Sequence, residues 1–370
     1  MKIAVSADCF ASFTSGFPVR GMMLELIKLN PEIQFQLYYT LRPWPENLAD
    51  FYDEINSQPN VEVRYFKDSR KVIALKRLLG LKYVEFDNDV ACFLNPGNPE
   101  YIRGFHGPTI CSLADLSTIK GISTNRHALF FKYWGRVTWE YILPTFSKIV
   151  TISDYTKRDV IEFFPKVKNK LITIHNGIST IWFDESCEAS DGQLERLGVP
   201  RSYFIWWGFV SRRKNISNLI AAYKKARKSN PDLPKLLLVG AIADHMSEIK
   251  KELDDDIVNI PFQNDAVLKS LVKNSRGLIF PSWYEGFGLP VIEAFSQGVN
   301  VACSDITSLP EVAGGHAILF DPASIDEMVD AIIRLSRHES KSQVLIDYAR
   351  QFSYRRAAEN YMRIIKEIAV

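Results

Sequence analysis

Residues 282–298, SWYEGFGLPVIEAFSQG, lie between two short apolar runs about three quarters of the way along the chain. The runs, residues 277–280 and 299–303, are each typical of a strand buried in a parallel sheet. Between them a glycine-rich turn leads into a helix, and Pro290 suits its first turn because a backbone N–H has no helical partner there. Such a turn directs free N–H groups and the positive end of the helix dipole at one point. The stretch therefore predicts an anion site in an α/β domain.

Two carboxylates narrow the chemistry of this site, Glu285 in the turn and Glu293 about one turn into the helix. A dinucleotide fingerprint, G-x-G-x-x-G, could begin at Gly286, but Val291 stands where its third glycine belongs. A glycosidase pair usually comes from separate elements that face each other across a sugar, whereas these glutamates share one turn and helix. A third interpretation is a nucleotide-sugar site, in which the turn approaches a diphosphate and the glutamates bind ribose and sugar hydroxyls.

The string EGFGLPVIE, residues 285–293, resembles the E-x7-E signature of glycosyltransferase family 4, the retaining enzymes with the GT-B fold. The similarity continues through SDITSLPEVAGG at residues 304–315. The resemblance implies that Glu293 binds the ribose of a nucleotide-sugar donor, and that Glu285 is catalytic and contacts the donor sugar. The loop between them is then also donor-binding, and consists of Gly286, Phe287, Gly288 and Leu289.

A strand and a basic turn open the second half of the chain. The strand runs to Gly208, and Arg213-Lys214-Asn215 precedes a helix over about residues 216–227. Family 4 enzymes carry a glycine and Arg-Lys-Asn at these positions, and a departing diphosphate calls for fixed cations. The resemblance therefore makes Arg213 and Lys214 catalytic groups that hold the diphosphate beside Gly208. A solvated Arg-Lys pair at a helix start is the alternative.

The first half of the chain resembles the family more thinly. Gly16 follows the first strand, at the position of a family glycine close to the donor diphosphate and the acceptor; a plain turn glycine is the alternative. Family members often have His-Asp where this chain has Ala114 and Asp115, so the histidine expected near the donor sugar is missing. The strand ending at Ser153 also resembles the family. The resemblance thus places Gly16 with the donor, and Asp115 and Ser153 on the acceptor side.

Two acidic runs invite a metal interpretation, Asp87-Asn88-Asp89 and Asp254-Asp255-Asp256. D-x-D is the metal motif of the other large glycosyltransferase fold, where it ends a strand. Both runs here precede a strand, which favours solvated turns. We therefore expect no metal and no cofactor, with a nucleotide diphosphate sugar as substrate.

Composition limits the partners and the compartment. The 370 residues predict two domains, and 24% charged with 46% hydrophobic residues is typical of a soluble globular protein. A net charge of +2 argues against a nucleic-acid partner. Five cysteines without a C-x-x-C pair, no signal peptide and no apolar run near the ~18 residues of a membrane span predict a cytoplasmic protein.

One basic segment favours a partner at the membrane. Residues 67–82, KDSRKVIALKRLLGLK, would form an amphipathic helix. Such a helix is usually solvated, but it also suits an anionic membrane surface or a lipid-diphosphate acceptor. Peripheral contact with the inner face of the membrane is the second hypothesis.

Strands alternate with helices through both halves, which predicts two doubly wound, Rossmann-like α/β domains. The resemblance implies a GT-B fold with these domains facing across a cleft. Residues 1–178 would bind the acceptor and residues 179–350 the nucleotide-sugar donor, while a final helix within residues 351–370 would return to the first domain.

The predicted function is retaining, metal-independent transfer of a hexose from a nucleotide diphosphate sugar to an oligosaccharide or lipid-linked acceptor, in surface polysaccharide or lipopolysaccharide biosynthesis. The long form of the signature is most similar to mannosyltransferase-like enzymes that use GDP-mannose or deoxysugar donors. Two other classes stay open. One is a phosphorylase or sugar-nucleotide epimerase of the same fold, although no motif for a pyridoxal lysine is present. The other is a catalytically silent scaffold, which Ala114 supports.

Overall fold

The computed structural model describes residues 1–7, 10, 16–39, 48–65, 88–93, 107–122, 128–242, 244–338 and 342–369. The chain divides into two compact units, each built on a parallel sheet. Unit 1 comprises Met1–Lys120, His127–Gly177 and Ser353–Val370, and the bulk of unit 2 is Ile178–Phe352. The basic segment at 67–82 lies outside the described residues, as does Asp87.

Unit 1 holds a seven-stranded sheet in the order β3-β2-β1-β4-β5-β6-β7. Its short, largely apolar strands are typical of a sheet covered on both faces. They are β1 Lys2–Ser6, β2 Gln34–Tyr39, β3 Val61–Tyr65, β4 Val90–Phe93, β5 Thr109–Leu113, β6 Lys148–Thr151 and β7 Leu171–Thr173. The helices described between them are α1 Gly16–Lys28, α2 Ala49–Asn56, α3 Ala128–Ile142 and α4 Asp154–Phe163.

Unit 2 holds a six-stranded sheet in the order β10-β9-β8-β11-β12-β13. This is the 3-2-1-4-5-6 order of a doubly wound nucleotide-binding fold. The strands are β8 Tyr203–Trp207, β9 Lys235–Val239, β10 Ile257–Ile260, β11 Leu278–Phe280, β12 Val301–Ser304 and β13 Ile318–Phe320. The helices are α5 Asp191–Arg196, α6 Ile216–Ser229, α7 Asp265–Lys273, α8 Leu289–Ser296, α9 Leu309–Ala313, α10 Ile325–Arg337 and α11 Gln343–Ala349.

The last helix, α12 Tyr354–Ile368, packs in unit 1. The Tyr361 hydroxyl donates to Ser112 Oγ at 3.0 Å, at the end of β5. Gly21 of α1 lies against the Tyr354 ring so closely that a Cβ there would be 2.0 Å from a ring carbon. The end of the chain is therefore part of the core of unit 1.

The prediction of two doubly wound α/β domains is confirmed, with shifts at several element ends. Strand β10 ends at Ile260, because Pro261 has no N–H for the sheet. Helix α7 begins after Asn264, whose side chain accepts from Val267 N. The short helices α9 and α11 were not predicted. Among the described residues, no helix is long and apolar enough to cross a membrane.

Candidate functional site

The candidate site lies at the carboxyl ends of β8 and β11 in unit 2. These strands are adjacent, with Ile205 paired to Leu278, although β9 and β10 come between them in sequence. The chain leaves β8 towards one side of the sheet and leaves β11 towards the other. In open α/β sheets, ligands bind outside the carboxyl ends of the strands at this switch point.

The turn after β8 contains Gly208 and an asparagine in the left-handed conformation, and a second glycine at the end of β9 lies against it. Gly208 has φ 139°, and a Cβ on Gly240, at the end of β9, would lie 1.9 Å from Gly208 O. Residues Arg212–Lys214 then form a single 3-10 turn. Asn215 adopts φ 59° and donates from Nδ2 to Pro322 O at 2.9 Å, which fixes the start of α6. Asparagine tolerates this conformation better than most residues.

Arg213 and Lys214 meet one carboxylate, that of Glu285. Arg213 NH1 lies 3.2 Å from Glu285 Oε2, and Lys214 Nζ lies 2.6 Å from Oε1. Arg213 NH1 also donates to Tyr284 O at 2.9 Å, and the Trp283 N–H returns a hydrogen bond to Arg213 O. We call Arg213, Lys214 and Glu285 the cation clamp, which brings together two basic residues and the first signature glutamate.

Glu285 is buried but stays ionised. Burial would raise the pKa of this carboxyl, but the charges of Lys214 and Arg213 and the hydrogen bond from Lys214 outweigh it, so the pKa lies below its ordinary value. The Glu285 backbone is anchored as well. Its N–H donates to Thr307 Oγ1, and the Ser308 hydroxyl lies 2.9 Å from Glu285 O and 2.7 Å from Phe287 O. Hydrogen bonds therefore fix the backbone of Glu285, and ion pairs fix its side chain.

The loop from Gly286 to Leu289 turns the chain from the clamp into α8. Gly288 precedes the helix with φ 110°, and a Cβ there would lie 2.6 Å from Leu309 Cδ2. Only glycine fits this combination of backbone and space. Phe287 is buried and packs edge-on against Phe352, with ring centroids 5.9 Å apart. Leu289 is the first residue of α8.

Glu293 lies one turn into α8, beside the end of β8. It is 8% exposed, and its Oε2 accepts from Trp207 Nε1 at 3.1 Å. Trp207 in turn stacks on Trp182 at a centroid distance of 6.4 Å. Burial raises the pKa of Glu293 to about 8, although the Trp207 hydrogen bond opposes the shift. Glu293 therefore carries a proton at neutral pH.

The predicted residues of unit 1 lie on separate loops. Gly16 begins α1, and Asp115 follows β5 and accepts from Ser117 N at 2.8 Å and Ser117 Oγ at 2.6 Å. Ser153 follows β6 and caps α4 by accepting from Thr156 N at 3.0 Å. Ala114, where family enzymes often have histidine, is exposed. Asp115 and Ser153 thus both have local partners, and their acceptor-side role stays a prediction.

The acidic runs bind backbone. Asp89 Oδ2 accepts from Lys2 N at 2.7 Å, and Asp254 Oδ1 accepts from the N–H groups of Asp256 and Ile257 at 2.9 Å. Within the described ranges, no group of three or more His, Cys, Asp or Glu side chains is placed to hold a metal ion.

Several residues of the site escaped the sequence reasoning. These residues contact the signature glutamates or the loop between them, and they are Trp207, Thr307 and Ser308. They are distant in sequence from their partners, and their side chains carry no charge. Two exposed aromatic residues also flank the switch point, Phe209 at 47% and Trp283 at 38% exposure. Both could have been found from the sequence, because each follows the carboxyl end of an apolar strand by two or three residues.

Comparison with known sequences relates unit 2 to a described family. Residues 196–352 match the family model described as "Glycosyl transferases group 1". O-antigen chain mannosyltransferase B of Escherichia coli is 27% identical over 231 residues, which cover 57% of this chain and 58% of that protein. A serotype-specific mannosyltransferase WbdA of Escherichia coli is 26% identical over 189 residues, 49% of this chain and 23% of that protein. The chain thus spans little more than half, or less, of these relatives.

Solved structures establish the fold along the chain. Sucrose-phosphate synthase from Thermosynechococcus elongatus superposes with a TM-score of 0.73 at 15% identity, covering 99% of this chain and 98% of that one. HepE of Anabaena, in complex with UDP and glucose, gives a TM-score of 0.70 at 15% identity, covering 99% and 100%. The chain therefore has the GT-B fold. Within it, residues 196–352 of unit 2 match the group 1 glycosyltransferase model, in agreement with the resemblance expected from the sequence.

Proposed function

We propose that this protein is a retaining, metal-independent glycosyltransferase of family 4. It transfers a hexose from a nucleotide diphosphate sugar to an oligosaccharide or lipid-linked acceptor. The observation that carries the proposal is the cation clamp, in which Arg213 and Lys214 converge at the switch point of unit 2.

The clamp supplies what departure of a nucleoside diphosphate requires. Negative charge builds on the diphosphate as the glycosidic bond breaks, and preorganised cations in a partly buried site stabilise that charge. Arg213 offers a planar fork to phosphate oxygens, and Lys214 offers a compact charge. Their side chains are 28% and 14% exposed, so both are sheltered from bulk water. The start of α8 adds N–H groups and the positive end of a helix dipole.

The two signature glutamates divide the rest of the donor. Glu293 would accept hydrogen bonds from the ribose hydroxyls, and Glu285 from hydroxyls of the transferred sugar. Gly208, Gly286 and Gly288 carry no side chain that would fill the space proposed for the donor. In retaining GT-B enzymes a phosphate oxygen of the donor is held to take the acceptor proton, which suits a site without an assigned base.

GDP-mannose is the first donor to test. Two relatives of this chain are mannosyltransferases by name, and the long form of the signature is similar to enzymes with GDP-mannose or deoxysugar donors. The acceptor would be a growing surface glycan, since one relative is named for the O-antigen chain. A structural neighbour is a lipopolysaccharide outer core galactosyltransferase, which supports the same class of acceptor.

We place the reaction in the cytoplasm, with contact at the inner face of the membrane. The buried free thiols of Cys111 and Cys303 suit a reducing compartment. The basic segment at residues 67–82 supports the membrane contact by its sequence alone.

A screen of nucleotide sugars by thermal shift tests the proposal first, because a ligand at 100-fold its Kd stabilises a protein by about 2.7 kcal/mol. The selected donor is then incubated with a glycan acceptor, and released nucleoside diphosphate and the anomeric configuration of the product are measured. We expect diphosphate release that depends on the acceptor, with the donor's configuration retained. Donor binding without release would indicate a silent scaffold, and an inverted product would contradict the retaining mechanism.

A further inference from the structure

The carboxylate of Glu285 occupies the cations that a diphosphate would need. One oxygen contacts Arg213 and the other contacts Lys214, so the group binds them as a phosphate with two oxygens would. The Glu285 side chain is 9% exposed, and its backbone is tied to Thr307 and Ser308. The carboxylate is therefore sheltered from water, and its backbone is fixed in place.

A bound diphosphate changes the environment of this carboxylate. If phosphate oxygens take Arg213 and Lys214, Glu285 stays buried and loses charge-assisted partners. A buried carboxylate without partners is strongly unfavourable, so new hydrogen-bond donors must replace the two cations. A free nucleoside diphosphate brings no hydroxyl group to this position, whereas the hexose of a nucleotide sugar brings several.

We propose that Glu285 exchanges partners during the reaction, from Arg213 and Lys214, with which it pairs in this structure, to the hexose hydroxyls of a bound donor. This inference rests on the proposed function and adds a source of specificity to it. The site then favours the intact nucleotide sugar over its own diphosphate product. After transfer the hexose leaves, Glu285 returns to Arg213 and Lys214, and the competition weakens the hold on the diphosphate.

The exchange makes an unusual prediction for Glu285→Gln. A neutral amide competes less for the cations and is not stranded as a charge, so the variant should bind free diphosphate more tightly. It should also lose most of the preference for the sugar-bearing form. A hydrogen bond to a charged group contributes about 1.5–3 kcal/mol, which corresponds to at least about tenfold in affinity.

Calorimetric titration with GDP and GDP-mannose, or with the pair that the thermal-shift screen selects, measures both affinities. The wild-type protein should prefer the nucleotide sugar by at least about tenfold, and Glu285→Gln should reduce that ratio to near one by gaining affinity for the diphosphate. Glu252→Gln is the matched control. It removes one charge from an exposed pair of the same unit, with Lys224 at 2.7 Å, and should change neither affinity.

Three outcomes would overturn the exchange. Equal losses for both ligands would make Glu285 only a support for the cations, and a loss for the nucleotide sugar with unchanged diphosphate affinity would make it only a sugar ligand. A wild-type protein that binds no nucleotide sugar would overturn the proposed function and this inference together. Should the variant fold poorly, wild-type protein with donor analogues that each lack one hexose hydroxyl replaces it. At least one analogue must then bind no more tightly than the diphosphate.

Discussion

Arg213 and Lys214 stand side by side on one turn, yet they approach different oxygens of Glu285. Under the proposed function, alanine at either position removes a cation that would meet the charge developing on the departing diphosphate. By comparison with loss of one donor from an oxyanion site, each variant should lose roughly 10²–10³ in kcat. The two should not substitute for each other, because a planar guanidinium and an ammonium bind phosphate differently.

The matching control is Lys224→Ala, which removes a lysine from α6 of the same unit. Its Nζ pairs with Glu252 at 2.7 Å on the surface, where an ion pair contributes little. Steady-state transfer rates at saturating donor compare the three variants with the wild-type protein. Similar rates in all four proteins would remove Arg213 and Lys214 from the mechanism.

Glu293 should make stability depend on pH. Its pKa is about 8 in the folded protein against an ordinary 4.5, so the folded state keeps a proton that the unfolded chain loses. Below pH 4.5 both states are protonated, and as pH rises towards 8 only the unfolded chain ionises, so stability falls. One pKa unit corresponds to about 1.4 kcal/mol. The free energy of unfolding, measured with denaturant between these pH values, should therefore decline less steeply with pH in Glu293→Gln than in the wild-type protein. Equal slopes in both proteins would contradict the buried, protonated carboxyl.

Under the proposed function, the Glu293 carboxyl should couple donor binding to proton release. Hydrogen bonds from ribose hydroxyls stabilise the ionised form, so binding at neutral pH should expel the Glu293 proton. Titration calorimetry of nucleoside diphosphate in buffers of different ionisation enthalpy counts the protons released. Release in the wild-type protein and none in Glu293→Gln is the expected pair of results, and equal release in both would assign the ribose to another group.

The ionisable residues of the site could be predicted from the sequence, but the pairing between them could not. Glu285 and Glu293 stand out because a short signature contains both of them. Their partners lie 71 to 86 positions away, as with Lys214 and Glu285 or Trp207 and Glu293. Such contacts depend on how β8 and β11 become neighbours, which local patterns do not determine. The expected sugar role of Glu285 therefore did not predict that it pairs with both Arg213 and Lys214.

The loop before α8 depends on a second loop that follows β12. Ser308 is fully buried, and its hydroxyl lies close to the carbonyls of Glu285 and Phe287. Ser308→Ala should remove the hydroxyl that donates to these carbonyls, lower the free energy of unfolding by about 1–3 kcal/mol and weaken donor binding. Thermal unfolding and calorimetric titration check both effects.

Ser336→Ala provides the comparison for Ser308→Ala. The Ser336 hydroxyl donates to Ile333 O at 2.7 Å within α10. Loss of this local hydrogen bond should lower the free energy of unfolding by less than Ser308→Ala does, and it should leave donor affinity unchanged. An equal effect of the two variants on donor affinity would show that the second loop does not support the clamp.

Elements with strong local signals were predicted well. Helix α8 has a glycine before it and a proline in its first turn, and β8 and β11 are short apolar runs. The helices α9 and α11 were missed because they have only five and seven residues, too few to display a helical repeat. Their stability comes from packing, as in the contact of the Tyr348 hydroxyl with Val312 O at 3.0 Å.

In the complete fold, α12 packs into the core of unit 1 together with the first strands of the chain. Ile365 of α12 is fully buried in a core cluster that also contains Ile3 and Phe35 of the first strands. Ile365→Ala should lower the free energy of unfolding by about 2–5 kcal/mol. The control Arg355→Ala, which breaks an exposed pair with Glu359 on the same helix, should stay within about 0.5 kcal/mol. Similar effects in denaturant unfolding would contradict the place of α12 in the core.

We propose that protein cations, and no metal, hold the diphosphate of a nucleotide sugar. The most direct measurement is the rate of nucleoside diphosphate release during transfer, with saturating donor and a glycan acceptor, in the presence and absence of a chelator. The clamp predicts equal rates in both conditions for the wild-type protein, and a rate lower by roughly 10²–10³ in Lys214→Ala. Activity that chelation abolishes and magnesium restores would contradict the account.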